Sequence, residues 1–410
     1  MTQEAPHTAS DMQVPLDGVH VLDLTAVMSG PFCTVMLADM GADVVKVEPP
    51  RGDDTRNVVR YAGRGAQDED YFYVNNRSKK SLSLDLKNPS ARAVVHELAK
   101  HADVMVENYA PGTAARLGVG WDDLHPLNDK LVYCSISGFG QDGPYRDRLA
   151  LDPTVQGYAG MMSITGQPGE APTLTGGSIT DTISGITAAF AIVSALYAVR
   201  QDGKGRYIDL SMQAAAMAAI SSRMGEYLQA GRVPARAGNR STIRIPANAY
   251  VCSDSRYVQL HVLNDRHWPA LCRALGREDW LENQQWHQVA GRQAEQDQIN
   301  QMVANEMKKR PAEVWLERMI AERLPVAPIN DFSDAANDPQ VVYRGVIRTL
   351  DHPVSGPIRV VGPGWKMTGP EPEMRPPPLL NQHMDDVLQS WLGWDKGQIT
   401  ACKKAIGKHD

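Results

Sequence analysis

Short apolar runs alternate with longer helical segments along the first half of the chain. The run VHVLDL at 19–24 predicts a β-strand, and DVVKVE at 43–48 predicts the next strand. The apolar helical segment between them ends at Gly41. Ser29 is placed to cap this helix, and Pro31 stands in its first turn, where a missing N–H costs nothing. Strand, helix and strand at this spacing predict a βαβ unit.

The same alternation continues to residue 230. It predicts further strands at 81–86, 103–108, 130–137 and 207–210, with helices at 88–99, 113–117, 181–200 and 212–230. Parallel strands joined by crossover helices predict an α/β fold with an open, doubly wound, Rossmann-like sheet, which binds ligands beyond the carboxyl ends of its strands. The apolar stretch 185–199 is shorter than the roughly 18 residues of a membrane span, so it predicts a buried helix.

Changes in this pattern divide the chain into domains. At 410 residues the chain is longer than a single core usually supports, so two domains are expected. The segment 231–249 has Gly, Pro and Arg without periodicity, and the tail contains RPPPLL at 375–380. We therefore predict a disordered leader at 1–14, a large α/β domain at 15–230, a linker at 231–249, a smaller α+β domain at 250–335, and an extended return segment at 336–410 that packs on the large domain.

Composition narrows the classes of function. The net charge of −6 and the pI of about 6.0 provide no overall positive field, which argues against a nucleic-acid partner. The five cysteines are widely spaced, without a CxxC motif, which argues against a disulfide framework or a zinc site and favours the reducing cytoplasm. The polar first residues lack the apolar region of a signal peptide. A cytoplasmic protein without a membrane partner is therefore expected.

Several common active-site motifs are missing. The loop after the first strand, TAVMSGPFC, contains no GxGxxG, although Glu48 ends the second strand where a ribose-binding acid would stand. A nicotinamide site is therefore disfavoured. The eleven histidines show no HExxH or paired spacing, which argues against a bound metal. The absence of GxSxG argues against the common acyl hydrolases.

Basic side chains nevertheless cluster near the predicted strand ends. Together they match the phosphates of a ligand such as coenzyme A, although for any single residue a solvated surface charge is the favoured interpretation. The cluster comprises Lys46, Arg51, Arg77, Lys79, Lys80, Arg116, Arg146 and Arg148.

Asp181 stands directly before the apolar helix, after the flexible stretch TLTGGSIT. One interpretation is a helix N-cap, for which Asp is among the best residues. The other is a nucleophile, because the positive end of a helix favours the ionised carboxylate. Gly176 and Gly177 would let a substrate carbonyl approach the backbone. Both interpretations stand at this point.

Several segments resemble those of the class III CoA-transferases in sequence and in order. That family includes formyl-CoA, carnitine and succinyl-CoA-dependent transferases and alpha-methylacyl-CoA racemase. The resemblance covers about residues 15–395 and is densest through residue 212. Its segments are PLDGVHVLDLT (15–25), SGPFCTVMLADMGADVVKVEPPRGDDTR (29–56), NRSKKSLSLDLK (76–87), VMVENYAPG (104–112), SISGFGQDGPY (135–145), LDPTVQGYAGMMSITG (151–166), GGSITD (176–181) and GKGRYIDLSM (203–212).

The resemblance implies the site residues. Asp181 falls at the family's catalytic aspartate, and coenzyme A enters as a substrate, with no permanently bound cofactor and no metal. The residues that it implies around coenzyme A and its thioester are Val27, Met28, Ser29, Arg51, Lys79, Lys80, Asn108, Tyr109, Arg116, Ser137 and Phe139.

Some positions depart from particular branches of the family. Formyl-CoA transferase has Gln at the position of Met28, Lys at that of Ser137, and a glycine-rich loop without a counterpart near 241–248, so a formyl/oxalate substrate pair is disfavoured. The racemase branch has a histidine in the segment occupied here by 151–153, which contains none. A racemase or isomerase and a non-catalytic CoA-binding protein remain as alternatives.

The resemblance also implies a reaction and an assembly. Asp181 would attack an acyl-CoA donor and form aspartyl anhydride and aspartyl-CoA thioester intermediates, from which a small carboxylic acid accepts CoA. Backbone N–H groups near 29–30 and 138–140 would stabilise the oxyanions. Arg236, Arg240 and Arg244 are candidates for meeting a second carboxylate. Two subunits would interlock as rings in a homodimer.

Overall fold

The computed structural model describes residues 12–56, 70–241 and 243–407. The chain forms two compact units. The first contains the described parts of 1–161 and 344–410 together with 175–231, and the second contains 162–174 and 232–343, apart from residue 242. Most of the predicted leader, residues 1–11, lies outside the described residues.

The first unit is built on six parallel strands in the order β3-β2-β1-β4-β5-β6. This confirms the predicted α/β class and the parallel sheet with flanking helices. Its strands are β1 (His20–Leu24), β2 (Asp43–Glu48), β3 (Lys80–Ser83), β4 (Val104–Glu107), β5 (Val132–Ser137) and β6 (Arg206–Ser211). The helices up to residue 230 are α1 (Ser29–Asp39), α2 (Asp70–Asn76), α3 (Pro89–Ala99), α4 (Thr113–Arg116), α5 (Trp121–Leu124), α6 (Asp152–Tyr158), α7 (Met161–Ile164), α8 (Ile179–Asp202), α9 (Met212–Ala219) and α10 (Ser221–Ala230), with short 3₁₀ turns at Asp54–Arg56 and His125–Leu127.

Both faces of this sheet are covered, which is why its strands are nearly continuous apolar runs. Alternate residues along each strand enter separate cores. Leu22 and Val45 belong to the core beneath α3, whereas Val21 and Val44 belong to the core beneath α1 and α8. The strands predicted from the sequence therefore occur close to their expected places.

Helix α8 is longer and less buried than the sequence pattern predicts. It has 24 residues. Its length and apolar composition alone would allow it to cross a membrane, but this is weak evidence because core helices meet the same criteria. One face, with Ala188, Ala189 and Ile192, is buried in the core. On another face Phe190 is 75% exposed and Tyr197 is 67% exposed. The prediction of a wholly buried helix is therefore wrong.

Of three predicted helices, one matches the structure and two differ from it in detail. Asn88 caps α3 by accepting the Ser90 N–H at 2.9 Å, and this helix matches its prediction. The single helix predicted over 212–230 is divided into α9 and α10 at Ile220, whose φ of −103° and ψ of 18° are not helical. Ser29 does not cap α1 but is its first residue, after Met28.

The second unit contains a small antiparallel sheet in the order β7-β8-β9. Its strands are β7 (Ala247–Val251), β8 (Tyr257–His261) and β9 (Val326–Pro328), and the helices of this part are α11 (His267–Leu275), α12 (Val289–Ala294), α13 (Gln296–Met307), α14 (Ala312–Ala321), α15 (Phe332–Ala336) and α16 (Pro339–Arg344), with 3₁₀ turns at Glu278–Glu282 and Gln284–His287. Trp268 and Trp315 are central to the core. The buried Arg292 guanidinium donates to the carbonyl oxygens of Ile245 and Trp286.

The last part of the first unit is more regular than its proline content suggests. The predicted extended segment instead contains an antiparallel hairpin, β10 (Ile347–His352) and β11 (Gly356–Val361), followed by helices α17 (Met384–Leu392) and α18 (Lys396–Ile406). Leu388 and Trp391 fill the core beneath α3, so this segment contributes to a core rather than only crossing a surface. It also covers the sheet edge, because the Ser83 N–H donates to the Asn381 side chain at 2.9 Å.

Candidate active site

The strand order reverses at β1, which lies between β2 and β4. At such a switch point the loops beyond the carboxyl ends separate and leave a crevice. Asn108, directly after β4, holds the loop after β1 through both ends of its amide. Its Oδ1 accepts the Ala26 N–H at 2.8 Å, and its Nδ2 donates to the Ala26 carbonyl at 2.8 Å. Next in the loop, Val27 has a φ of 68°, which is strained for a β-branched residue.

Asp181 lies in the first turn of α8, as its third residue, and is not the N-cap. The carboxylate of Asp152 takes the capping role. Its Oδ1 accepts the Thr180 N–H and the Thr180 hydroxyl at 2.6 Å each, and the Asp181 N–H at 3.3 Å. Gln156 orients Asp152 by donating to its other oxygen at 2.7 Å. The N-cap interpretation of Asp181 is therefore wrong, and its own carboxylate is left for another use.

No hydrogen-bond donor within the described parts of the chain reaches the Asp181 carboxylate. Burial, and then the negative charge of Asp152, raise the pKa of Asp181 to about 6. The sequence argument expected the helix N-terminus to favour the ionised form, but burial and the second acid outweigh it. A pKa near 6 still leaves roughly nine tenths of the carboxyl groups ionised at pH 7.

Asp181 faces a cleft of about 260 Å³ in the first unit. The predicted residues Val27, Met28, Ser29, Asn108, Tyr109 and Ser137 line it together with Asp181, and so does Gly138 of the predicted oxyanion loop. The sequence reasoning missed that Ala26, Ala110, Pro111, Ile136, Leu149, Ala150, Leu151, Asp152 and Met212 also line it, as does Arg148, which had appeared only among the basic residues. At the edge of this cleft α1 begins at Ser29, and its first N–H groups have no intrahelical acceptor.

In the second predicted oxyanion loop, 138–140, some backbone N–H donors already have acceptors. The Gly140 N–H donates to the Ser137 hydroxyl at 3.1 Å, and the Gln141 N–H donates to the Asp209 carboxylate at 2.9 Å. Within the predicted loop 138–140 the Gly140 N–H is thus occupied, whereas the described residues provide no acceptor for the N–H groups of Gly138 and Phe139. The N–H groups of Ser29 and Gly30 also form no hydrogen bond within the residues that the structure describes.

Tyr71, on α2, is a further residue that sequence reasoning missed. Its hydroxyl donates to the Met28 sulfur at 2.8 Å. Burial raises the pKa of Tyr71, and a hydrogen bond with Ser178 opposes that rise. Tyr71 thus links the loop after β1 to the start of α8. Nothing in its local sequence marks it, because the contact joins segments distant along the chain.

A second cleft, of about 350 Å³, adjoins the first at Ala26 and Tyr109, which line both. Arg51 and Lys87 are basic residues of its lining. The Arg51 side chain is 76% exposed and lies 3.2 Å from Asp54. The lining also includes the acids Glu48, Asp53, Asp54 and Asp85, so this cleft offers two cations within a mixed charged lining.

The remaining predicted contacts lie elsewhere. Lys79 is fully buried and donates to Asp23 at 2.9 Å, the Pro31 carbonyl at 3.0 Å and the Asn76 amide oxygen at 3.0 Å, so all its protons are used. Lys80 pairs with Asp43 at 3.1 Å.

Four other residues named from the sequence do not line either cleft. Arg116 is exposed and donates to the Thr113 hydroxyl at 2.7 Å. Phe139 packs edge-on against Tyr145 and Tyr158. Lys46 and Arg77, which the sequence had grouped with the phosphate-binding candidates, are buried in ion pairs with Asp53 and Asp39.

Known proteins resemble this chain over nearly its whole length. The model of CoA-transferase family III matches residues 16–384. A succinyl-CoA:glutarate CoA-transferase of Mus musculus is 32% identical, over 99% of this chain and 93% of that protein. An acetyl-CoA:oxalate CoA-transferase of Acetobacter aceti is 36% identical, over 88% and 92%. The crystal structure of a CAIB/BAIF family protein from Brucella suis has a TM-score of 0.82 at 29% identity and covers 91% of this chain and 98% of that chain. The chain therefore belongs to CoA-transferase family III, as the resemblance of its segments implies, and is an enzyme of CoA transfer.

Proposed function

We propose that this enzyme moves CoA from an acyl-CoA donor to a small carboxylic acid, with Asp181 as the covalent carrier. The observation that supports this most directly is the ionisable Asp181 carboxylate without a hydrogen-bond partner in the described chain. The carboxylate oxygens of a structural aspartate at a helix N-terminus normally accept hydrogen bonds from backbone N–H groups. Here Asp152 does so instead, and Asp181 faces the cleft.

The proposed reaction has four covalent exchanges. An Asp181 oxygen attacks the donor thioester carbon, the C–S bond breaks, and an acyl-aspartyl anhydride and a CoA thiolate result. The thiolate attacks the aspartyl carbonyl carbon, releases the donor acid as a carboxylate, and leaves an aspartyl-CoA thioester. The acceptor carboxylate then attacks that thioester, and the released thiolate finally attacks the acceptor acyl carbon of the new anhydride. Asp181 is regenerated, and protons and charge balance throughout.

Two features support stabilisation of the transient oxyanions. The N–H groups of Ser29 and Gly30 open α1 beside the cleft, without a hydrogen-bond acceptor among the described residues. Such donors favour a developing negative charge without having to reorganise. The Asn108 amide, which holds the Ala26 backbone, keeps the preceding loop in one position.

We assign the CoA nucleotide to the neighbouring cleft, where Arg51 is exposed. Tyr109 lies between the clefts, so the pantetheine arm would pass it to reach Asp181. Lys80, Arg116 and Phe139 stay proposed contacts for the rest of CoA. For Lys79 we propose support of the loop after β1, since its ammonium group is occupied by Asp23 and the Pro31 carbonyl.

The substrates proposed here follow the similar enzymes. One relative is named for succinyl-CoA and glutarate, and another for acetyl-CoA and oxalate. We propose a short acyl-CoA as donor and a short dicarboxylic acid as acceptor. A racemase is less well supported. The racemase branch has a histidine in the segment 151–153, where Leu151 lines the cleft in this chain.

We further propose an intertwined homodimer in the cytoplasm, built from the predicted domains 15–230 and 250–335 with the linker 231–249. The five free cysteines suit a reducing compartment. The exposed apolar side chains Phe190 and Tyr197 on α8 offer a surface that a second subunit would cover.

The test is to trap the intermediate. The enzyme is incubated with acetyl-, propionyl- or succinyl-CoA, quenched with hydroxylamine or borohydride, and digested for mass spectrometry. We expect a modified peptide containing Asp181 in the wild type and in Asp202→Asn, a control at the other end of α8, and none in Asp181→Asn. Turnover by Asp181→Asn at the wild-type rate would exclude the proposal, and tight CoA binding without any turnover would exclude these three acyl-CoAs as donors.

A further inference from the structure

Arg148 is the positively charged residue among the described residues that line the Asp181 cleft. Its guanidinium has no carboxylate within ion-pair distance in the described chain, although Asp152 and Asp181 line the same cleft. The Arg148 side chain is exposed to solvent at the cleft, so an anion that enters the cleft can reach it. The described chain provides no carboxylate partner for it, whereas an anionic ligand would provide one.

An aromatic platform holds the Arg148 side chain in place. The guanidinium carbon lies 3.7 Å from the ring centre of Tyr145 and 5.7 Å from that of Tyr158, and one nitrogen also donates to the Tyr158 hydroxyl. The two tyrosines and Phe139 pack on one another with ring centres 5.0–5.7 Å apart. Stacking restrains the guanidinium while leaving most of its five N–H donors at the edge for a planar anion.

The arginines first considered for a second carboxylate are differently placed. Arg240 already pairs with Asp297 at 2.8 Å, and Arg236 donates to the Glu170 carbonyl at 2.6 Å. Arg244 is exposed, and all three lie in the second unit. Arg148 instead lies in the cleft of the nucleophile, restrained and without an acidic partner in the part of the chain that the structure describes.

The chemistry of transfer determines which anion fits. The carboxyl group that reacts at Asp181 becomes an anhydride or a thioester and loses its charge. In a dicarboxylic substrate, the distal carboxylate keeps its charge in the donor, in the anhydride and in the product. That charge would be repelled by Asp152 and Asp181 unless a cation lay beside them. A guanidinium binds a carboxylate through two parallel hydrogen bonds, which also fixes its orientation.

We propose that Arg148 binds the distal carboxylate of the acyl group and selects dicarboxylic over monocarboxylic acids. This rests on the proposed role of Asp181 and adds the residue that would select the dicarboxylic substrates proposed above. A CoA phosphate is the other anion to consider, but the exposed Arg51 lies in the adjoining cleft beyond Tyr109, where the nucleotide was assigned.

The test compares kcat/KM for succinate and glutarate with that for acetate and propionate in wild type, Arg148→Gln and Arg148→Lys. Loss of a charge-assisted pair predicts a fall of about 10- to 100-fold for the dicarboxylates in Arg148→Gln and a change of less than about threefold for the monocarboxylates. Arg148→Lys should fall between, since lysine keeps the charge without the fork. Arg200→Gln, an exposed arginine near the end of α8, is the matched control and should change neither class.

Two further readouts separate the outcomes. Titration of free CoA should give the same Kd in wild type and Arg148→Gln, and a weaker Kd would make Arg148 a CoA contact and overturn the proposal. An equal loss of kcat/KM for both acid classes, with unchanged Tm, would also overturn it. Glutarate binding to Asp181→Asn and to the double variant Asp181→Asn/Arg148→Gln is measured calorimetrically. Loss of binding only in the double variant supports the Arg148 site even if the covalent role of Asp181 fails.

Discussion

The carboxylate of Asp152 accepts the backbone N–H of Asp181 at 3.3 Å, so one acid caps the helix turn that presents the other. The same carboxylate contributes, after burial, to raising the pKa of Asp181. A more basic carboxylate is a stronger nucleophile while it remains ionised, and a pKa near 6 serves both needs at neutral pH. We therefore expect Asp152 to act as a positioning residue whose charge tunes the nucleophile.

Replacement of Asp152 by Asn should shift the pH dependence of the first half-reaction. Asn keeps an oxygen for the Thr180 N–H but removes the charge, so the pKa of Asp181 should fall. The acid limb of kcat/KM for acyl-CoA should then move to lower pH, by roughly half to one pH unit. Rapid-quench measurement of anhydride or thioester formation between pH 4.5 and 8 checks this shift.

The controls for that shift are internal to the protein. Glu107, whose pKa burial raises to about 7, titrates in both proteins and cancels in the comparison. Asp152→Ala should lower the free energy of unfolding by about 1–2 kcal/mol, because the α8 cap is lost. An acid limb at the same pH in wild type and Asp152→Asn would mean that the Asp152 charge does not set the pKa of Asp181.

Asp181 itself should destabilise the folded protein when it is ionised. Its folded pKa of about 6 lies above the model-peptide value of 3.8, so folding favours the protonated form. The penalty is absent below about pH 4 and fully present above about pH 6. Asp181→Asn should therefore raise the free energy of unfolding at pH 8 by about 1–2 kcal/mol, discounted for partial solvation, and by almost nothing at pH 4. Urea unfolding at both pH values measures the difference, and a gain that is equal at both would exclude this cause.

Gly185 permits the close approach of α8 and α1 that places Asp181 beside the loop after β1. A Cβ at this position would lie 2.8 Å from the Ser29 carbonyl oxygen and 3.1 Å from the Cys33 nitrogen, both backbone atoms. Gly185→Ala should therefore lower the free energy of unfolding by about 1–3 kcal/mol and reduce kcat. Gly225→Ala in α10, where a Cβ would meet nothing within 4 Å, should be neutral or slightly stabilising. Equal effects of the two substitutions on unfolding would contradict the role of Gly185.

The sequence predicted the sheet better than the site because the two depend on different distances along the chain. Strands such as β2 are local apolar runs, and their bounds follow from adjacent residues. The cap of α8 comes from Asp152, 29 residues before Asp181, so local pattern assigned that cap to the wrong acid. The hairpin β10–β11 and helix α17 were missed because Pro-rich sequence obscures structure that depends on packing against the first unit. The platform beneath Arg148 likewise joins Phe139, Tyr145 and Tyr158 only in the folded chain.

The family resemblance implies that Lys79 contacts CoA, whereas its buried surroundings indicate a structural role. A lysine that contacts CoA should affect acyl-CoA binding, whereas a buried lysine paired with Asp23 should affect folding. Both side chains are fully buried and 2.9 Å apart. Burial tends to raise the pKa of Asp23, but Lys79 and Lys46 outweigh it and hold that pKa below its usual value, so Asp23 is ionised and needs its partners.

Lys79→Met should therefore lower the free energy of unfolding by about 3–5 kcal/mol, because Asp23 would lose a buried counter-charge. The double variant Lys79→Met/Asp23→Asn should recover part of that loss, since the unpaired charge is gone. Lys80→Met, at a pair with Asp43 that keeps some access to solvent, should cost less than Lys79→Met, by our expectation about 1 kcal/mol. Chemical denaturation gives the stabilities, and the KM for acyl-CoA is measured alongside at a temperature where each variant is folded. An unchanged free energy of unfolding with a raised KM in Lys79→Met would instead make Lys79 a direct contact for CoA.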